Sequence, residues 1–251
     1  MCLSEHRILH DRLMNIDILA FGAHPDDVEI SCGGTLLRYA GEGKKIVIVD
    51  LTQGELGTRG SAAIRMEECK AASKKIGLID RVNLGMSDGF FEENEEHLML
   101  IIQEIRHFRP QLILANSITD RHPDHGRAAA LVARAAFLSG LPKIKSKRNG
   151  ADQEAFRAPM LMHYIQDMYI EPDIALDVSA FAEEKIKVVQ CFSSQFFDPN
   201  SSEPETPISN AHFFDFMLGR MMQYGRPIGV TYAEGFTINR TLGVNDLFNL
   251  R

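Results

Sequence analysis

Short apolar runs alternate with segments of helical period through the first half of the chain. Residues 16–20, 46–51 and 112–115 are brief, rich in branched side chains and bounded by polar or turn-forming positions. Runs of that kind predict strands covered on both faces. Helical signals occupy 33–40, 62–76, 95–108 and 128–138. In 95–108 the apolar residues fall at 98, 101, 102 and 105, one face of a helix. Gly77 follows 62–76 as a left-handed terminator. Asn94 precedes 95–108 as an N-cap, with Glu95 and Glu96 suited to the first turn. The second half is less regular. Strands are expected at 160–165, 174–178 and 230–233, helices at 181–192 and 211–224, and a basic surface loop at 143–150. Residues 198–207 hold three prolines and form a loop of rim or lid length. The alternation predicts one α/β unit with a Rossmann-like, mostly parallel sheet and helices on both faces.

Composition narrows the classes. The 251 residues are 45% hydrophobic and 24% charged, which excludes disorder and a small disulfide scaffold for the whole. Lys and Arg total 27 against 34 Asp and Glu, a net charge of −7 that argues against a fold-wide basic face for nucleic acid. No apolar run nears the ~20 residues of a membrane span. The polar N-terminus lacks a secretion signal, so the cytoplasm is the expected compartment. Cys2, Cys32, Cys69 and Cys191 are far apart and form no C-x-x-C pair, so free thiols are expected.

Two tetrads carry the chemistry: His24-Pro25-Asp26-Asp27 after the first predicted strand, and His122-Pro123-Asp124-His125 after 112–115. Both fall at the carboxyl ends of parallel strands, where open α/β sheets bind ligands. Proline fits the first helical position and holds its predecessor extended, so each His should stand at a strand-to-helix corner. Residues three apart then share a face, pairing His24 with Asp27 and His122 with His125, while Asp26 and Asp124 point elsewhere. Imidazole and carboxylate suit Zn²⁺, and a catalytic zinc takes three protein ligands and leaves one position for water. Two histidines and an aspartate meet that need; spacing does not choose between His122 and His125. Acidic residues in a first helical turn also serve the helix dipole, but two such tetrads at equivalent strand ends weigh against that reading.

The stretch AFGAHPDDVEISCGGT, paired with DRHPDHG, resembles the LmbE-like (PIG-L) deacetylase superfamily. The pieces DLTQGELGTRG, IRMEE, NLGMSDGFF, FLSGL, SSQFFDPNSSEPETPIS and YAEGF look like its bacillithiol-pathway branch, the N-acetylglucosaminyl-malate deacetylases. The resemblance runs from about residue 14 to about 236. It implies a single LmbE-like domain over 14–251, with 1–13 an extra segment, either a disordered tail or the product of an upstream start. It implies His24, Asp27 and His125 as ligands of one zinc per subunit, with Fe²⁺ the other candidate. Asp26 would be the general base, His122 the group assisting oxyanion and leaving amine, and Asp124 the residue orienting His122. Arg65 would contact substrate, and Arg59 is a further arginine placed to meet the malate carboxylates. Where some relatives place a Tyr over the metal, this chain has His212, a candidate oxyanion donor. The implied partners are an N-acetylated sugar and further copies of the chain, hexamers being frequent in such proteins.

Rival readings are a nucleotide-binding Rossmann module, a catalytically dead sugar-binding relative, and a deacetylase of another N-acetyl sugar. The first needs G-x-G-x-x-G; acidic side chains stand here where pyrophosphate would sit. The second is disfavoured because every expected ligand and base is present. Met217, Met221 and Met222 read as packing or subunit contact.

Overall fold

The computed structural model describes residues 15–250; the extra segment 1–13 lies outside the described residues. β1 (Ile18–Gly22) is central and fully buried, flanked in parallel by β2 (Ile46–Thr52) and β4 (Leu112–Ala115), with Ile18 in register with Ile46 and Leu112. β3 (Asp80–Met86) joins β2, and β7 (Met160–Tyr164) joins β4, both in parallel. β8 (Ile174–Asp177) and β9 (Ala233–Thr237) complete a seven-stranded sheet in the order β3-β2-β1-β4-β7-β9-β8, where β9 runs antiparallel to both neighbours. This is the predicted α/β class. The strand order reverses between β1 and β4, which opens a crevice at their carboxyl ends.

Helices cover both faces. α1 (Asp27–Gly41), α2 (Ala62–Ile76), α5 (Ala182–Val189) and α6 (Phe213–Gly225) lie over one core, which holds Ile18, Leu36, Ile48 and Phe192. α3 (Glu95–Phe108) and α4 (Pro123–Ser139) close the other, around Leu19, Phe21, Ile101 and Val132. Local signals set several ends. Gly77 terminates α2 at φ 87°, and the Asn94 side chain accepts from His97 N at the start of α3. Among the described residues no helix is long and apolar enough to cross a membrane.

The structure differs from the sequence reading at several elements, and α4 too begins early, at Pro123 instead of 128. β3 had no strand signal, because its DRVNLGM sequence belongs to a half-buried edge and carries Arg81 and Asn83. Part of the expected loop at 143–150 enters a hairpin of β5 (Ser146–Arg148) and β6 (Ala151–Gln153), turned at Asn149-Gly150 with φ 52° and 84°. The expected strand at 230–233 begins only at Ala233. α1 starts six residues before the predicted 33, with a break at Cys32 that separates an early turn from the predicted helix.

Candidate metal and catalytic site

The two tetrads meet at the crevice between β1 and β4. After β1 the chain turns through His24 and Pro25, and Asp26 enters α1 with φ 112°, a left-handed backbone for a non-glycine residue. Pro25 therefore precedes the helix instead of opening it. In the second tetrad His122 is the N-cap of α4 and Pro123 its first residue, as expected. The rings of His24 and His122 are 4.7 Å apart, those of His122 and His125 5.1 Å, and those of His24 and His125 5.7 Å. One ring nitrogen from each of the three lies within 4.8 Å of the others. Asp27 stands between two of them: Oδ2 is 3.6 Å from His24 Nδ1, and Oδ1 is 3.1 Å from His125 Nε2.

Further carboxylates and amides hold this cluster, and sequence reasoning missed them. His24 Nε2 donates to Asp88 at 3.0 Å. His125 Nδ1 meets Asp120 at 2.5 Å, which leaves Nε2 facing Asp27. Asn116 and Gln166 donate to the two Asp27 oxygens at 3.0 and 3.2 Å. Asp120 precedes His125 by five residues, and an acidic residue beside a His tetrad was a readable signal. Asp88 follows a strand that was itself not predicted, so its place at the sheet edge was hidden.

Charge is arranged to favour a cation. Burial opposes a proton on His24, but Asp124, Asp27 and Asp88 outweigh it and raise its pKa well above the usual imidazole value. Burial likewise opposes charge on His125, yet Asp27 and Asp120 lift its pKa to about 9. Asp27 is held well below the carboxylate range by both histidines despite burial. For His122, burial, then the positive His24 and His125, outweigh Asp124 and Asp27 and lower its pKa. Four carboxylates around two histidines thus call for positive charge at the centre. Three imidazoles converging within 4.8 Å, with the Asp27 carboxylate beside two of them, fit a divalent ion of the zinc or iron type.

Asp26 is buried beside this cluster, and its carboxyl is pushed up to about 7 by burial, with Arg65 pulling the other way. Arg65 Nη1 donates to Pro25 O at 2.9 Å and to Asp26 Oδ2 at 3.3 Å. Gly54, at φ 64°, lies on its other flank, where a Cβ would come within 3.1 Å of the same Nη1. His24, Asp26, Asp27, Arg65, His122 and His125 all face one cavity of about 520 Å³.

Three expected residues stand elsewhere or face another way. Arg59 is buried away from the cavity wall, donating from Nε to Ser194 O. It belongs to a clamp in which Gln195 donates to Arg59 O and Ser193 and Ser194 bind Glu68, and this explains the SSQ motif. His212 lies at the exposed start of α6, its side chain 71% accessible and 3.3 Å from Asp215. Helix geometry turns it to solvent, while Phe213 and Met217 face the cavity. His212→Ala should cost under about 0.5 kcal/mol of stability and leave kcat unchanged; a loss above about tenfold would return it to the site. Asp124 does not face His122. Its carboxylate accepts from Gly89 N and Arg127, and lies 3.4 Å from His24 Nε2. At the helix start the His122 ring turns back over its own Asp124 N–H, so the two side chains diverge.

The family model described as GlcNAc-PI de-N-acetylase matches residues 19–137. A conserved protein of Thermus thermophilus is 33% identical, covering 92% of this chain and 98% of its own, with a TM-score of 0.81. The diacetylchitobiose deacetylase of Thermococcus kodakarensis is 28% identical over 87% of this chain and 81% of its own length. A probable N-acetyl-α-D-glucosaminyl L-malate deacetylase of Bacillus anthracis is 28% identical over 71% and 81%.

Proposed function

Because the chain belongs to the PIG-L (LmbE-like) family of deacetylases, we propose that it is a metal-dependent hydrolase that releases acetate from the amide of an N-acetylglucosamine conjugate. The observation that carries this reading is the meeting of His24, Asp27, His122 and His125 with the carboxylate of Asp26 in one cavity. His24, Asp27 and His125 would hold the ion, taken as zinc, with Fe²⁺ as the alternative. The bound ion would lower the pKa of water and polarise the acetyl carbonyl.

The side chains supply the rest. Asp26 takes the proton from the attacking water, and Arg65 fixes the direction of its carboxylate. His122, on the cavity side of the cluster, donates a hydrogen bond to the developing oxyanion, and the proton taken up by Asp26 passes to the departing amine. Asp88 and Asp124 orient His24, and Asp120 orients His125.

The finer reading is a malate aglycone, supported by the GTRG, SSQF and YAEGF pieces and by the name of the Bacillus relative. Arg65 has its Nη1 committed to Pro25 and Asp26, while its guanidinium still lines the cavity. Arg65→Ala should therefore lower kcat on every substrate and, in addition, raise KM for the malate-bearing sugar alone. An unchanged kcat would separate Arg65 from Asp26; an equal KM change on a sugar without malate would remove its role as carboxylate partner.

The deciding assay is acetate release by metal-analysed protein from N-acetylglucosaminyl malate, N,N′-diacetylchitobiose and N-acetylglucosamine. A kcat/KM preference for the malate conjugate of at least about tenfold, the worth of one modest contact, is expected. Chelation should abolish the activity and Zn²⁺ should restore it. Preference for the disaccharide would move the aglycone to a sugar, and no acetate from any of the three would overturn the reading.

A further inference from the structure

α1 is interrupted at Cys32, whose φ −133° and ψ 24° lie outside the helical region. In a continuous helix the Thr35 N–H would donate to the Ser31 carbonyl one turn back. Here Thr35 N donates to Glu234 Oε2 at 2.7 Å, and Lys185 Nζ donates to Ser31 O at 3.4 Å. Lys185 and Glu234 meet at 2.6 Å, each side chain 1% exposed. An ion pair from α5 and β9 therefore binds the Thr35 N–H and the Ser31 carbonyl that such a rung would join, and the Gly34 N–H beside them.

The carboxylate is fully used. Oε1 accepts from Gly34 N and Lys185 Nζ, and Oε2 accepts from Thr35 N and Thr35 Oγ1. The sequence is fitted to the intrusion. A Cβ on Gly34 would approach Glu234 Oε1 to 3.0 Å and Val178 Cβ to 3.1 Å, and one on Gly33 would meet Lys185 Cγ at 3.4 Å. This accounts for Gly34 and for the glutamate of the YAEGF piece, neither of which the proposed chemistry uses.

A buried ion pair is weak evidence for stability, since apolar residues of like volume commonly serve as well. Its effect here is on direction. The break separates residues 27–31 from the rest of α1, and those residues carry Asp27, with Ile30 and Ser31 in the cavity wall. We propose that Lys185 and Glu234 are positioning residues: by replacing the Thr35–Ser31 rung they hold α1 bent and so set where Asp26 and Asp27 stand against the second tetrad. The inference rests on the reading of this cluster as a metal site.

The test replaces both charges at once. In Lys185→Met/Glu234→Leu the Thr35 N–H and Ser31 carbonyl are free to pair, so the helix straightens without an orphaned charge. Thermal unfolding, Co²⁺ affinity by titration, the visible spectrum of the Co²⁺ protein, and kcat and KM are compared with wild type. The expected result is a folded protein with Co²⁺ affinity reduced at least about tenfold, the usual loss when support behind a ligand is removed, together with an altered spectrum, lower kcat and unchanged KM. Wild-type Co²⁺ affinity and spectrum in the folded double variant would overturn the proposal. So would a raised KM at unchanged Co²⁺ affinity, which would put these side chains on substrate. Glu234→Gln keeps the shape and is read in the same way, with the same two overturning results, should the double variant not fold. Failure of the wild type to bind Co²⁺ would instead overturn the metal reading itself.

Discussion

Asp26→Asn is expected to retain metal and lose about 10²–10⁴-fold in kcat, the range of a removed general base. The carboxamide preserves the volume and an oxygen for Arg65 Nη1, now 3.3 Å from the carboxylate, so the loop should keep its path. Asparagine also tolerates the left-handed backbone found there. What disappears is the lone pair that takes the water proton. Asp27→Ala and His24→Ala should behave in the opposite sense. Each removes a donor from the converging cluster, so metal content should fall together with activity. Metal analysis beside kcat separates the two classes. Metal loss in Asp26→Asn with full occupancy in Asp27→Ala would exchange their roles.

Arg81→Met should be the most destabilising of these substitutions. Arg81 makes a fork to Asp50 at 2.7 and 2.9 Å and a third bond to Glu29 at 2.5 Å, and all three side chains are largely buried. The two carboxylates raise the Arg81 pKa well above its usual value despite burial. Removing the cation strands both acids, and breaking a buried pair in this way costs about 3–5 kcal/mol. For a chain of this size that is a fall in Tm of roughly 6–20 °C. Burial pushes the Glu29 carboxyl up even with Arg81 in place, so stranded acids should take up protons at neutral pH. Arg81→Met/Glu29→Gln/Asp50→Asn should recover much of the loss. Urea unfolding measures both; a cost below about 1 kcal/mol for the single variant would show that the trio is dispensable. Glu29 lies in the short first segment of α1, so the damage should reach Asp27 as well.

The parallel core strands were legible because their side chains are apolar on both faces, and β1, β2 and β4 emerged within two residues of the predicted ends. Helix limits were legible where a single residue decides them, as at Gly77 and Asn94. β3 was not, because an edge strand that supplies Arg81 to a buried ion trio does not read as hydrophobic. The tetrads located the site because strand-to-helix corners place such residues together. Their supports did not announce themselves: Gln166 and Asn116 reach Asp27 across 139 and 89 positions of sequence. Arg59 and His212 illustrate the reverse. Their residue types suited the chemistry, but sequence gives no direction to a side chain, and one points into a loop clamp and the other into solvent.

The left-handed turn at Asp26 restricts the chemical alphabet at that position. Glycine, asparagine and aspartate enter that backbone region most readily, and of these only aspartate is an acid. A glutamate, which elsewhere is the obvious exchange for an acidic group, would have to bear the torsional penalty while projecting its carboxylate one methylene further. Variation among proteins sharing this turn should therefore abandon the acid before lengthening it.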